Sequence, residues 1–105
     1  MNAINIRVAE QFTRYPAGRN ESDGPFSGER FRKEFLEPAL SGGHRVVIYL
    51  DGTRGYGSSF LEEAFGGLVR KGYTPDRLNA ALEFDSNDAS LVAEIRDYIV
   101  HGGDE

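Results

Sequence analysis

Cysteine is absent from all 105 residues, which removes disulfides, thiolate metal sites and cysteine nucleophiles together. Histidine is scarce: His44 and His101 are distant in sequence, and the scattered acids lack the spacing of a ligand set, so no metal and no other cofactor is expected. No apolar run is long enough for a membrane span, and no basic, alanine-ended leader is visible, so the expectation is a cytoplasmic protein without a membrane partner. Positive charge is in deficit as well. Twelve Lys plus Arg against 17 Asp plus Glu give a formal net charge of -5, which repels a phosphate backbone, and nucleic acid is not an expected partner.

What remains is enough for one compact unit, residues 1–105, with a single core. Ile4, Ile6 and Val8 alternate with Asn5 and Arg7, the period of a strand buried on one face. The stretch TRYPAGRNESDGPF from Thr13 to Phe26 is dense in turn formers and poor in aliphatics, and is expected to be a long, mobile loop. Ser27 then caps SGERFRKEFLEPAL, in which Phe31, Phe35 and Leu36 share a side and Glu29 can pair with Lys33. Pro38 should kink or end that helix. RVVIYLD, apolar without interruption from Val46 to Leu50, has the pattern of a central strand covered on both faces. Ser59 and Glu62 have the S-x-x-E spacing of a capping box opening a second helix, whose Gly66 and Gly67 suggest a close backbone approach by the sheet or by a partner. Leu78, Ala80, Leu82 and Phe84 alternate like a strand near a sheet edge, and a third helix follows a Ser/Asn/Asp cluster and ends at Gly102 and Gly103. Strands alternating with helices imply an α/β layer structure. Arg14, Arg19, Arg30, Arg32 and Lys33 gather in the first third of the chain, most simply as a solvated surface of mixed sign.

The segment DGTRGYGSS, from Asp51 to Ser59, joins the apolar strand to the second helix. Gly52 to Ser59 has the spacing of a phosphate-binding P-loop, but Ser58 stands where the lysine that neutralises phosphate charge belongs. It fails the nucleophile-elbow pattern G-x-S-x-G too, with Leu61 at the last glycine. Neither histidine is aimed at the serines by any sequence argument, so no catalytic residue is assigned and the chain is not expected to be an enzyme.

VVIYLDGTRGYGSSFLEEAFGGL, from Val46 to Leu68, resembles without a gap the strand, loop and helix of the STAS family, of the anti-sigma factor antagonist type. PAGR, SGERFRKEFLEPAL and SSFLEEAFGGL are similar to its short STAS-like relatives, bacterial domains of unassigned activity. The resemblance implies an α/β fold with a mixed or partly parallel sheet and about three helices packed mainly on one side. It also implies a regulatory domain that binds a protein, of the GHKL ATPase or kinase type. Ser58 falls on the phosphorylated serine of the antagonists, with Ser59 beside it as a second phospho-acceptor candidate. Gly57 stands where the antagonists carry aspartate, which favours reading Ser58 and Ser59 as a helix cap over a phosphorylated switch. The contact surface expected from this is Thr53, Arg54, Tyr56, Gly57, Ser58, Ser59, Glu62 and Glu63, with Arg54 and Tyr56 foremost, although Tyr56 can equally fold down into the core. A different function fits the same glycines: a non-catalytic small-anion or nucleotide sensor, its phosphate held by loop amides, Arg54 and the secondary candidates Arg19 and Arg30. The oligomeric state is not legible.

Overall fold

The computed structural model describes residues 3–104. Strand β1, Ile4–Arg7, runs into a π-helical turn at Val8–Phe12, and a loop with a short 3-10 turn at Glu21–Asp23 leads to helix α1. Helix α1 spans 28–41 in three continuous parts: α-helical Gly28–Phe31, π-helical Arg32–Leu36 and α-helical Glu37–Ser41. After β2, Val46–Tyr49, helix α2 spans 58–70 with the same build, Ser58–Leu61, π-helical Glu62–Gly66 and Gly67–Arg70. Then follow α3, Pro75–Ala81, strand β3, Leu82–Asp85, and α4, Ala89–His101.

The three strands lie in the order β1-β2-β3, all parallel, with Ile6 opposite Ile48 and Ile48 opposite Phe84. One sheet face carries Ile6, Val46, Ile48 and Leu82 into a core shared with Phe31, Leu36, Phe60, Leu61, Phe65, Leu68, Leu78, Ile95 and Ile99. The other face is open. There Asn5, Arg7, Glu83 and Asp85 are exposed and Val47 and Tyr49 half-buried, with the Arg7 guanidinium 4.0 Å from the centre of the Tyr49 ring. The central strand is therefore covered on one face only. An aromatic side chain under a stacked arginine, on a half-buried surface, needs no second helical layer to explain it.

The segment expected as a strand from Leu78 onward is mostly helix, and only Leu82–Asp85 joins the sheet, as its edge. The Thr74 hydroxyl accepts from the Arg77 amide at 3.1 Å and Pro75 starts the helix, so this is a capped start whose apolar positions Leu78 and Leu82 are four apart as well as even-spaced. Pro38 does not end α1. The turn before it is widened, with the Glu37 amide donating to the Arg32 carbonyl five residues back, and this opens the backbone where the proline ring needs room.

The loop from Thr13 to Phe26 is tied down rather than loose. Ala17 N donates to Phe26 O, Gly28 N to Gly18 O and Glu29 N to Arg19 O, while Phe12 packs 5.7 Å from Phe26 and 5.2 Å from Phe31. Within the chain, the close approach at Gly66 and Gly67 comes from other helices and not from the sheet. A Cβ at Gly66 would lie 3.2 Å from the Tyr98 carbonyl of α4, and one at Gly67 would lie 2.7 Å from Arg32 Nε of α1.

Candidate functional site

The β2–α2 connection leaves the carboxyl end of the central strand, the end of an open α/β sheet where ligands and partners have access. Leu50 is buried, and Asp51 to Ser59 then return the chain across the end of the sheet. Gly52 and Gly55 adopt φ of 101° and 126°, values that let the loop turn tightly enough to put helix α2 back over the core. Gly55 N donates to the Thr53 hydroxyl at 3.3 Å and Arg54 N donates to Arg14 O at 2.8 Å, which locks this loop to the one after β1.

Arg54 is exposed, its guanidinium 5.9 Å from the ring centre of Tyr15, itself 60% exposed. Tyr56, expected to share the tip with Arg54 or to fold down, folds down. Its hydroxyl donates to Leu50 O at 2.7 Å, its ring lies 6.0 Å from Phe60, and burial pushes the phenol pKa up to about 12, so it stays a neutral donor.

Ser58 and Ser59 are exposed as the first two helical residues, and neither caps the helix. The N-cap is Gly57, in extended geometry at φ -68° and ψ 144°, which has no side chain to offer. The capping box read from Ser59 and Glu62 does not form because Glu62 turns instead to two arginines from elsewhere in the chain. Its carboxylate accepts from Arg19 and, at 2.7 and 3.0 Å, from Arg70. Those bonds, Arg70's foremost, hold the Glu62 carboxyl below the usual carboxylate range. Glu63 is taken up in the same way: its carboxylate meets Arg32 Nη2 at 2.9 Å, and its carbonyl accepts from Arg32 Nε at 3.3 Å.

Four residues expected at the contact surface or anion site are thus engaged in ion pairs within the chain. Glu62 and Glu63 are partly buried inside an arginine network, Arg19 belongs to that network, and Arg30 is bound to Glu34 and to the Pro25 carbonyl. The centre of the network, Arg32, is only 3% exposed and also pairs with Glu37. From sequence it read as surface charge. The structure brings together Thr53, Arg54, Gly57, Ser58 and Ser59 on one accessible loop and first helical turn.

A side chain at Gly57 has open space and an extended backbone that any L-residue adopts. Gly57→Asp should therefore supply the missing N-cap and raise stability by about 0.5–1 kcal/mol, measurable as a shift of the urea midpoint without change in slope. An unchanged or lower midpoint would contradict the assignment of Gly57 as a strain-free N-cap.

A family model described as "STAS-like domain of unknown function (DUF4325)" matches residues 27–91, from the cap of α1 to the first turn of α4. The chain belongs to this STAS-like family. The match contains all of α1, β2, the β2–α2 loop, α2, α3 and β3, so the accessible loop lies within the matched region. No curated protein and no solved structure matches the chain. Among the described residues no helix is long and apolar enough to cross a membrane.

Proposed function

We propose that this STAS-like domain is a small regulatory module that binds a protein partner through residues 53–59 and the first turn of α2, in the manner of an anti-sigma factor antagonist. The partner class that its resemblance implies is a GHKL-type ATPase or kinase. The observation that supports this most is the state of Ser58 and Ser59. Both hydroxyls are exposed at the start of a helix, with no hydrogen-bond partner among the described residues, next to an exposed arginine on a rigidly tied loop. A phosphate on Ser58 would face the free amides of the first turn and add about 1.5–2 negative charges to the contact surface. In such a transfer the Ser58 oxygen bonds to the γ-phosphorus of ATP, ADP leaves, and the hydroxyl proton is released.

Binding without catalysis is the role put forward for the chain itself. His44 precedes β2, at the opposite end of the strand from the serines, and His101 closes α4 with Asp104 at 2.8 Å, so neither serves as a base for a nucleophilic serine. The anion- or nucleotide-sensor reading has weaker support. Two amides of the loop, those of Arg54 and Gly55, are already spent within the protein, and Arg19 and Arg30 are paired with carboxylates.

Placing a photoreactive amino acid at Arg54 or Ser59, and at Asp76 on α3 as a control, locates the surface in the native cell. Cross-links to one ATPase-sized partner are expected from positions 54 and 59 and not from 76. Equal cross-linking from all three, or from 76 alone, would overturn the proposal.

A further inference from the structure

All-parallel sheets are usually covered on both faces. Here α1, α2, α3 and α4 all contribute to the one core behind Ile6, Val46, Ile48 and Leu82, and the opposite face of the three-stranded sheet stays open. The strand register orders that face into two rows, Asn5, Val47 and Glu83 in one and Arg7, Tyr49 and Asp85 in the next. Half-buried Val47 and Tyr49 run down the middle, and the charges stand on the two edge strands. Glu83 is already paired, to Arg45 at 2.9 Å. Arg7 and Asp85 are not. Among the described residues neither has an ion-pair partner, and the Arg7 guanidinium lies 4.0 Å from the centre of the Tyr49 ring. Two strand spacings, about 10 Å, separate their backbones, with Tyr49 between them.

We propose that a second copy of this chain covers the open face, with the two-fold axis running along β2. That axis sets β1 over β3 of the second copy, so Arg7 meets the unpaired Asp85 and Asn5 meets Glu83, each contact occurring twice, while Val47 and Tyr49 meet their own copies at the centre. The other two-fold in the plane of the sheet, across the strands, sets β3 over β3 and brings Glu83 against Asp85. Charge therefore selects the axis along β2. Aligned sheets pack about 10 Å apart, a gap that an arginine and an aspartate side chain span together. The face is small, roughly 13 by 14 Å from the rise of four residues and the spacing of three strands. A permanent dimer buries more, so this pair forms at high concentration and separates on dilution. The inference does not depend on the protein-binding reading. The start of α2, whose Phe60 and Leu61 enter the core, lies on the covered side of the sheet, and pairing leaves that surface free.

Sedimentation equilibrium across about 10 μM to 1 mM reads the association, with wild type expected to shift from monomer towards dimer over that range. Arg7→Glu and Asp85→Arg each turn two attractive contacts into two repulsive ones, and each should weaken self-association at least about tenfold. Mixed in equal amounts the two variants are complementary again, and the mixture should associate at least as tightly as wild type. Asp76→Arg, the same change of charge on α3, should stay at the wild-type level. A wild type that remains monomeric throughout, single variants that associate like wild type, a mixture no tighter than its components, or an equal loss in Asp76→Arg would each overturn the assignment.

Discussion

Arg32→Ala should cost about 3–5 kcal/mol of stability, the usual penalty for removing one member of a buried ion pair, here leaving the other with only its more distant partners. Arg32 is buried at 3% exposure and bridges α1 to the π-helical part of α2 through Glu63, while also meeting Glu37 on its own helix. Removing it leaves the Glu63 carboxylate, whose side chain is 15% exposed, without its 2.9 Å partner and with only Arg19 and Arg70 at 3.5 Å. A small domain has only about 5–15 kcal/mol in total, so this single change should bring it close to unfolding at ambient temperature. Urea denaturation checks the loss, and the double variant Arg32→Met/Glu63→Leu should recover most of it, because the stranded charge goes with its partner. If Arg32→Ala loses less than about 1 kcal/mol, the network is a surface feature and its place in holding α2 is wrong.

The acid limb of stability should follow from the same network. Glu62 has its folded-state pKa depressed below the ordinary value of 4.5, so its contribution is fully present above that value and is lost as pH falls through the lower folded-state pKa.

Gly28→Ala should also be damaging, for a different reason. A Cβ at Gly28 would lie 2.2 Å from the Phe60 carbonyl oxygen and 3.0 Å from its carbon, all backbone, so no side chain can rotate away and α1 must separate from α2. Helix propensity favours alanine by about 1 kcal/mol, but overpacking against a fixed backbone costs about 3 kcal/mol, and the second term wins. The expected net loss is about 2 kcal/mol or more, read from the thermal or urea midpoint. A neutral or stabilising Gly28→Ala would show that the α1–α2 contact is not this close. The candidate loop should be displaced too, since Phe60 lies in the first turn of α2, directly after Ser58 and Ser59.

Local chemistry was legible in the sequence wherever one element decided the outcome. Ser27 caps α1 through the Arg30 amide at 3.1 Å, Asp88 caps α4 through the Leu91 amide at 3.1 Å, and the apolar run from Val46 forms the central strand. The layer structure and the STAS-like family were legible for the same reason, from consecutive motifs. What failed were inferences that long-range partners overrode. The spacing of Ser59 and Glu62 is right for a capping box, yet Arg19, 43 positions away, and Arg70 draw Glu62 aside, and Gly57 takes the cap position. The even spacing from Leu78 to Phe84 fits a strand and a helix alike until Thr74 and Pro75 are weighed as a start signal. At the candidate site, Arg54 and the two serines were legible as a loop-to-helix exit, whereas the choice between tip and core for Tyr56 is made by its bond to Leu50 O and its packing on Phe60, contacts that spacing alone does not rank.

The central claim is that the exposed start of α2, with Arg54 beside it, is where a protein partner binds. Titration calorimetry of the protein recovered by cross-linking against the purified domain tests it most directly, with wild type, Arg54→Ala, Ser58→Ala and Ser58→Glu compared. Near-native affinity for Ser58→Ala, and losses of at least tenfold for Arg54→Ala and Ser58→Glu, are the predicted result. Equal affinity for all four proteins would contradict the claim and move the binding surface elsewhere on the molecule.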